Sequence, residues 1–147
     1  MTGLLLLLFA VVAGSLLPLQ AGVNARLAHF IGGPVRASAI SFGVGGIALL
    51  IVVLLFYRHA ANARAHDAPW WAWIGGLLGA FYVTANVVVP LRMGAAAFFG
   101  VLVAAQLVMS VLVDQFGWLK FPQHETSPLR LLGVALLIAG ALLVRLF

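Results

Sequence analysis

The sequence predicts an all-α integral membrane protein, a bundle of five transmembrane helices, and three observations predict it. Sixty-five per cent of the residues are apolar and 7% are charged, too little polar surface to cover a water-soluble globule of this size. The apolar residues fall into five blocks, each near the ~20 residues of helix that cross a bilayer core. Those blocks are continuous rather than alternating, which excludes a closed β-barrel, the other way to satisfy backbone groups in lipid. A chain of 147 residues is expected to form a single transmembrane domain, residues 1–147, with no room for a separate soluble one.

The first span is expected over residues 3–28. Its apolar run from Leu4 to Val12 has no Lys or Arg before it, unlike a cleaved signal peptide, and continues through Leu19 and Val23, so it reads as a retained helix. Gly32-Gly33-Pro34 breaks the chain, and the second span follows over 35–57, with Ser38, Ser41, Gly45 and Ala48 aligned along it. The polar stretch RHAANARAHDAP is a loop over 58–69. The third span, 70–89, opens on Trp70, Trp71 and Trp73, whose rings suit the headgroup interface. Residues 90–94 form a tight connection into the fourth span, 95–116. A second polar loop carries Trp118, Lys120, Pro122, His124, Glu125 and Pro128, and the fifth span covers 129–146.

Several function classes are excluded. There is no cysteine, hence no disulfide or thiolate chemistry. His29, His59, His66 and His124 are scattered without the i, i+4 spacing of a helical metal pair, so no metal and no cofactor is expected. Neither a nucleophile with its base nor a phosphate loop is present, and the chain is not expected to be an enzyme. The net charge of +5 is dispersed over eight basic residues, without the basic face that nucleic acid requires.

The distribution of those charges is more informative. Five spans place the N-terminus and the two polar loops on one side of the membrane, side A, with Arg58, Arg64, Lys120 and Arg130. Side B then holds Arg26, Arg36, Arg92 and Arg145. Orientation normally follows an excess of Lys and Arg on the cytoplasmic side, and neither side has one. The simplest consequence is insertion in both orientations; the alternative is one orientation set by loop length or by the first helix. The sequence shows no internal repeat, whereas many transporters pair two inverted halves. A chain that inserts both ways supplies the second half as an antiparallel partner.

Polar side chains within spans are costly in lipid. Gln20 and Asn24 lie one turn apart on the first span. Tyr82 and Asn86 share a face of the third, with Gly75 and Gly79 on the same face and Thr84 nearby. Gln106, Ser110 and Asp114 stack at i, i+4, i+8 on the fourth. Interhelical hydrogen bonding and solute binding are both open for the amides; Ser15, Ser38 and Thr84 read as structural. Asp114, the one acid within a span, lies near a helix C-terminus, where the helix dipole disfavours it. It is either a structural pair with Arg26, Arg36 or Arg92 of an antiparallel partner, or a proton-exchanging group in a watery vestibule. Gly133 and Gly140, seven apart, mark the fifth span as a packing or dimer helix.

Taken together, LQAGVNARLAHFIGGPVRASAISFGVGGIALL, WWAWIGGLLGAFYV, MGAAAFFGVLVAAQLVMSVLVDQFGW and LRLLGVALLIAGALLVRLF resemble the YdcZ-like inner-membrane exporters of the drug/metabolite transporter superfamily. The resemblance covers almost the whole chain. It implies a multi-pass protein of the bacterial inner membrane that moves a small solute, each copy being half of a ten-helix transporter. The chain is also similar to the small multidrug resistance transporters, which act as antiparallel dimers and carry a buried Glu on their first helix. Here Gln20 and Asn24 take that place, which argues against proton-coupled cation export by a carboxylate.

The expectation is therefore a secondary transporter working by alternating access as an antiparallel homodimer. Gln20, Asn24, Tyr82, Asn86, Gln106 and Ser110 would contact solute, Asp114 would serve as coupling group or gate, with proton or ion coupling open, and Gly133 and Gly140 would pack the dimer. A non-transporting membrane subunit and a passive channel are the alternatives.

Overall fold

Gly32, Gly33 and Pro34 separate the first two apolar stretches by backbone chemistry. In the computed structural model of the protein, which describes residues 3–57 and 67–147, α1 spans Gly3–Ile31 and α2 spans Pro34–Phe56. Gly32 takes φ +81°, a left-handed conformation that L side chains rarely adopt. Gly33 N–H donates to the Ala28 carbonyl at 2.9 Å, which closes the helix in a Schellman ending. Arg36 Nη1 donates to the Ile31 carbonyl at 3.2 Å, and a Cβ on Gly32 would stand 2.9 Å from that nitrogen. Pro34 occupies the first turn of α2, where its missing N–H costs nothing. These caps carry α1 to Ile31 rather than ending it at residue 28.

The third span is divided. Trp70–Ile74 form a 3-10 turn after Pro69, and α3 follows over Gly75–Val88. Pro90 has no N–H to donate to Asn86, so α3 stops, and Pro90–Met93 start a separate short turn, α4, capped by Gly94. α5 spans Ala95–Phe116 and α6 spans Pro128–Leu146. Ser127 caps α6 by accepting from Arg130 N–H at 3.2 Å, with Pro128 in the first turn. Among the described residues, five helical stretches are long and apolar enough to cross a membrane: Gly3–Ile31, Pro34–Phe56, Trp70–Met93, Ala95–Phe116 and Pro128–Leu146. Arg58, His59, Arg64 and His66 lie outside the described residues.

The chain divides into two compact units, Met1–Val88 and Val89–Phe147. In the first, α1 packs on α2 and α3, and α2 on α3. The buried residues are mostly small: Ala21, Asn24 and Ala28 from one face of α1, Ala37 and Ser38 from α2, with Val83, Asn86 and Val87 from α3. Ala28, Ala37 and Val87 form the centre of this core. Lipid offers leucine as apolar a home as a protein core does, so helices in it are held by close approach through small residues. The large side chains accordingly point outward, and Leu4 to Leu8 are each more than half exposed. In the second unit, α5 packs on α6 through Gly100, where an added Cβ would stand 3.5 Å from the Ala141 backbone. Ala97, Phe98, Ala104 and Ala141 are buried there.

Candidate functional site

The polar side chains of the first unit gather where α1 meets α2. Asn24 lies eight residues before Gly32 and Ser41 eight after Gly33, so the turn brings them level. Asn24 Nδ2 donates to Ser41 Oγ at 3.2 Å, and Asn24 is 4% exposed. Gln20, one turn earlier on α1, lines the same groove of about 450 Å³, with Asn24, Ser41 and the apolar Leu16, Val23 and Val44. A second hollow of about 260 Å³ shares Gln20 and Ser41 and is completed by Phe42, Gly45, Gly46 and Val83. Gln20 and Ser41 thus stand on the ridge between two hollows. The sequence expectation does not include Ser41 among the solute-contacting residues; its distance from the turn is the signal that sets it level with Asn24.

On α3, Asn86 is 4% exposed. Its Oδ1 and the Tyr82 hydroxyl are buried with no hydrogen-bond partner among the described residues. Such groups are rare in native structures and invite a partner. The hydroxyls of Ser15, Ser38 and Thr84 behave differently. Each donates to the carbonyl four residues back, those of Val11, Pro34 and Ala80, at 2.8, 3.0 and 2.8 Å. Such back-bonding leaves no polar hydrogen to offer elsewhere.

In the second unit, Gln106 and Ser110 are exposed on α5. The Ser110 hydroxyl donates to the Gln106 carbonyl at 2.8 Å. Asp114 Oδ2 accepts from Arg130 Nη2 at 2.6 Å. The sequence leaves Asp114 either paired with Arg26, Arg36 or Arg92 of a second copy or free to exchange a proton; within the chain its partner is Arg130. The reason is topological, because Asp114 and Arg130 lie eight residues either side of Pro122. Each charge also stands at the wrong end of its helix, an anion at a C-terminus and a cation at an N-terminus, and their contact offsets both dipole penalties.

The intervening loop is sewn back onto α5. His124 N–H donates to the Asp114 carbonyl at 3.0 Å. Thr126 N–H donates to Gln115 Oε1 at 2.7 Å, and Gln123 Nε2 donates to the Gln115 carbonyl at 2.9 Å. Gly117, at φ +60°, makes the left-handed ending of α5. Leu119 and Lys120 then continue in left-handed conformations that cost a residue with a Cβ about 1–2 kcal/mol each. The result is an open cleft of about 620 Å³ lined by Asp114, Phe121, Pro122, His124, Glu125 and Arg130. Gly133 and Gly140 have nothing within 4 Å of their Cβ positions, and Gly140 borders a hollow of about 440 Å³ with Ala96, Phe99, Gly100 and Val103 of α5. Arg26 lies over the Phe30 ring, 5.0 Å from its centroid. Among the described residues no group of His, Asp and Glu is placed to hold a metal ion.

Comparison with known proteins agrees with this architecture. The family described as "Putative inner membrane exporter, YdcZ" matches residues 5–143. The chain is 36% identical over 106 residues, 67% of each chain, to the inner membrane protein YdcZ of Escherichia coli strain K12. No solved structure matches. The apolar helices and the extent of these matches establish the chain as a multi-pass inner-membrane protein that belongs to the YdcZ exporter family.

Proposed function

We propose that the protein is a secondary transporter that moves a small solute across the inner membrane by alternating access, with residues 1–147 as one transmembrane domain in each copy of an antiparallel homodimer. The observation that carries this reading is the pair of buried amides, Asn24 and Asn86, on helices that are otherwise apolar, with Asn86 Oδ1 and the Tyr82 hydroxyl left unpaired. An unpaired buried polar atom costs about 1–3 kcal/mol, and a helix with only packing to do would carry Ala or Leu there. Polar groups inside a membrane are costly, and those that no interhelical hydrogen bond satisfies point to a solute pathway. Membership of an exporter family supports transport as the activity.

Gln20, Asn24, Tyr82 and Asn86 of the first unit, and Gln106 and Ser110 of the second, are the proposed solute-contacting side chains, Ser110 only as an acceptor because its hydroxyl hydrogen goes to the Gln106 carbonyl. Asp114 is the proposed gate or coupling group, since parting it from Arg130 would loosen the sewn end of α5. Gly133 and Gly140 are left open on α6 and are the proposed contacts with the second copy. The equal division of cationic residues between the two sides supports the antiparallel arrangement.

The test is efflux from liposomes containing the purified protein and loaded with a metabolite extract, followed by mass spectrometry. The expected result is saturable loss of a defined solute, with counterflow. Asn86→Ala should slow it by about tenfold, the worth of one lost hydrogen bond, while the variant keeps its helix content. Non-saturating flux would indicate a passive channel. No flux, with Asn86→Ala impairing assembly instead, would indicate a non-transporting subunit.

A further inference from the structure

We infer that the groove between α1 and α2 binds a neutral solute that carries both hydrogen-bond donors and acceptors on one edge and an apolar group on the other. This rests on the transporter reading and names its substrate class. Five Ser and Thr residues lie within the spanning helices: Ser15, Ser38, Ser41, Thr84 and Ser110. Four donate to the carbonyl one turn back. Ser41 does not. Its oxygen instead accepts from Asn24 Nδ2, and that contact leaves the Ser41 O–H free to donate into the groove. The same contact fixes Asn24 with Oδ1 as its unused acceptor. The Gln20 amide adds one donor group and one acceptor on the groove wall. Leu16, Leu19, Val23 and Val44 supply the apolar side.

No ion is matched by this set. α1, α2 and α3 contain no Asp or Glu, so a cation in the groove would have no counter-charge. Their basic residues are Arg26, His29 and Arg36, and the permanent cations among them are the two arginines. Arg26 rests over Phe30, and Arg36 closes the α1 ending on the Ile31 carbonyl. An unpaired ion drawn from water into an apolar groove loses far more solvation than neutral hydrogen bonds return. A neutral amide or urea group loses far less, because Asn24 Oδ1 and the Gln20 carbonyl can accept from its N–H groups while the Ser41 O–H and the Gln20 NH2 can donate to its carbonyl.

Three probes of similar size separate the cases: phenylurea, phenylguanidinium and phenylacetate, neutral, cationic and anionic. Binding to the purified full chain in detergent is measured by calorimetry. The expected result is that phenylurea binds at least about tenfold more tightly than either ion, and that Ser41→Ala lowers its affinity by about tenfold, one hydrogen bond's worth. Asn24→Asp, of the same shape with a carboxylate added, should transfer the preference to phenylguanidinium; Gln20→Glu makes the same test at an exposed position should the first variant not fold. Equal or tighter binding of either ion by the unaltered protein, binding of none of the three, or an unchanged Ser41→Ala affinity each overturns the inference. Flux is a separate readout. If the preference for phenylurea holds but liposomes show no saturable efflux, the transporter reading fails and the binding site stands.

Discussion

At position 79 a hydrogen atom occupies the place where any other residue would put a carbon 3.1 Å from Phe42 Cζ. That spacing is tighter than ordinary van der Waals contact, so a larger side chain at 79 must push the Phe42 ring of α2 aside. Gly79→Val should lower stability by about 1–3 kcal/mol, the usual result of overpacking. Gly75→Ala, four residues earlier in open space, should change it by a few tenths at most. Thermal unfolding of the two variants in detergent checks both, and equal melting points would show that the contact carries no load. The sequence marked Gly75, Gly79, Tyr82 and Asn86 as one face of a helix, but a face does not say which glycine is against a neighbour. That depends on Phe42, which local spacing cannot place. Asn24 and Ser41 are the contrary case, since counting outward from the Gly32–Gly33 turn pairs them without any structure.

Elements follow the same logic one step up. Length and apolarity located every span, since crossing the hydrocarbon demands both. Their ends depended on caps that polarity alone does not reveal: the Schellman ending of α1, the 3-10 opening under the tryptophans and the Ser127 cap of α6. The α5–α6 hairpin shows why the partner of Asp114 was missed. Matching depth across two antiparallel copies points to Arg26, Arg36 or Arg92, whereas the hairpin returns Arg130 of the same chain to α5. Because the side chains of Arg130 and Asp114 are 39% and 25% exposed, their contact is screened and should contribute at most about 1 kcal/mol. A double-mutant cycle on Asp114→Asn and Arg130→Met should give a coupling free energy of that size. Additive effects would mean that the loop is held by Gln115, through its bonds to Gln123 and Thr126, rather than by the ion pair.

For the whole molecule, the decisive quantity is the difference in cationic charge between the two sides of the membrane, and the sequence puts it at zero. Arg58, Arg64, Lys120 and Arg130 oppose Arg26, Arg36, Arg92 and Arg145. Asp114 does not upset this balance although it pairs with Arg130, because carboxylates contribute little to orientation. A chain with no bias should enter the membrane both ways, and an antiparallel homodimer needs both forms in comparable amounts. The chain has no cysteine of its own, so Ala61→Cys puts a single reporter in the side A loop. In intact spheroplasts, a membrane-impermeant maleimide should label about half of the molecules, and the remainder only after permeabilisation. Adding Ala60→Lys and Ala63→Lys to the same loop should draw that side to the cytoplasm, shift labelling to one population and reduce solute flux with it. Flux should return on co-expression with a copy biased the opposite way, carrying two added lysines on side B. Labelling of the unmodified loop from one face only, or full flux from the uniformly oriented variant, would remove the antiparallel dimer from the mechanism.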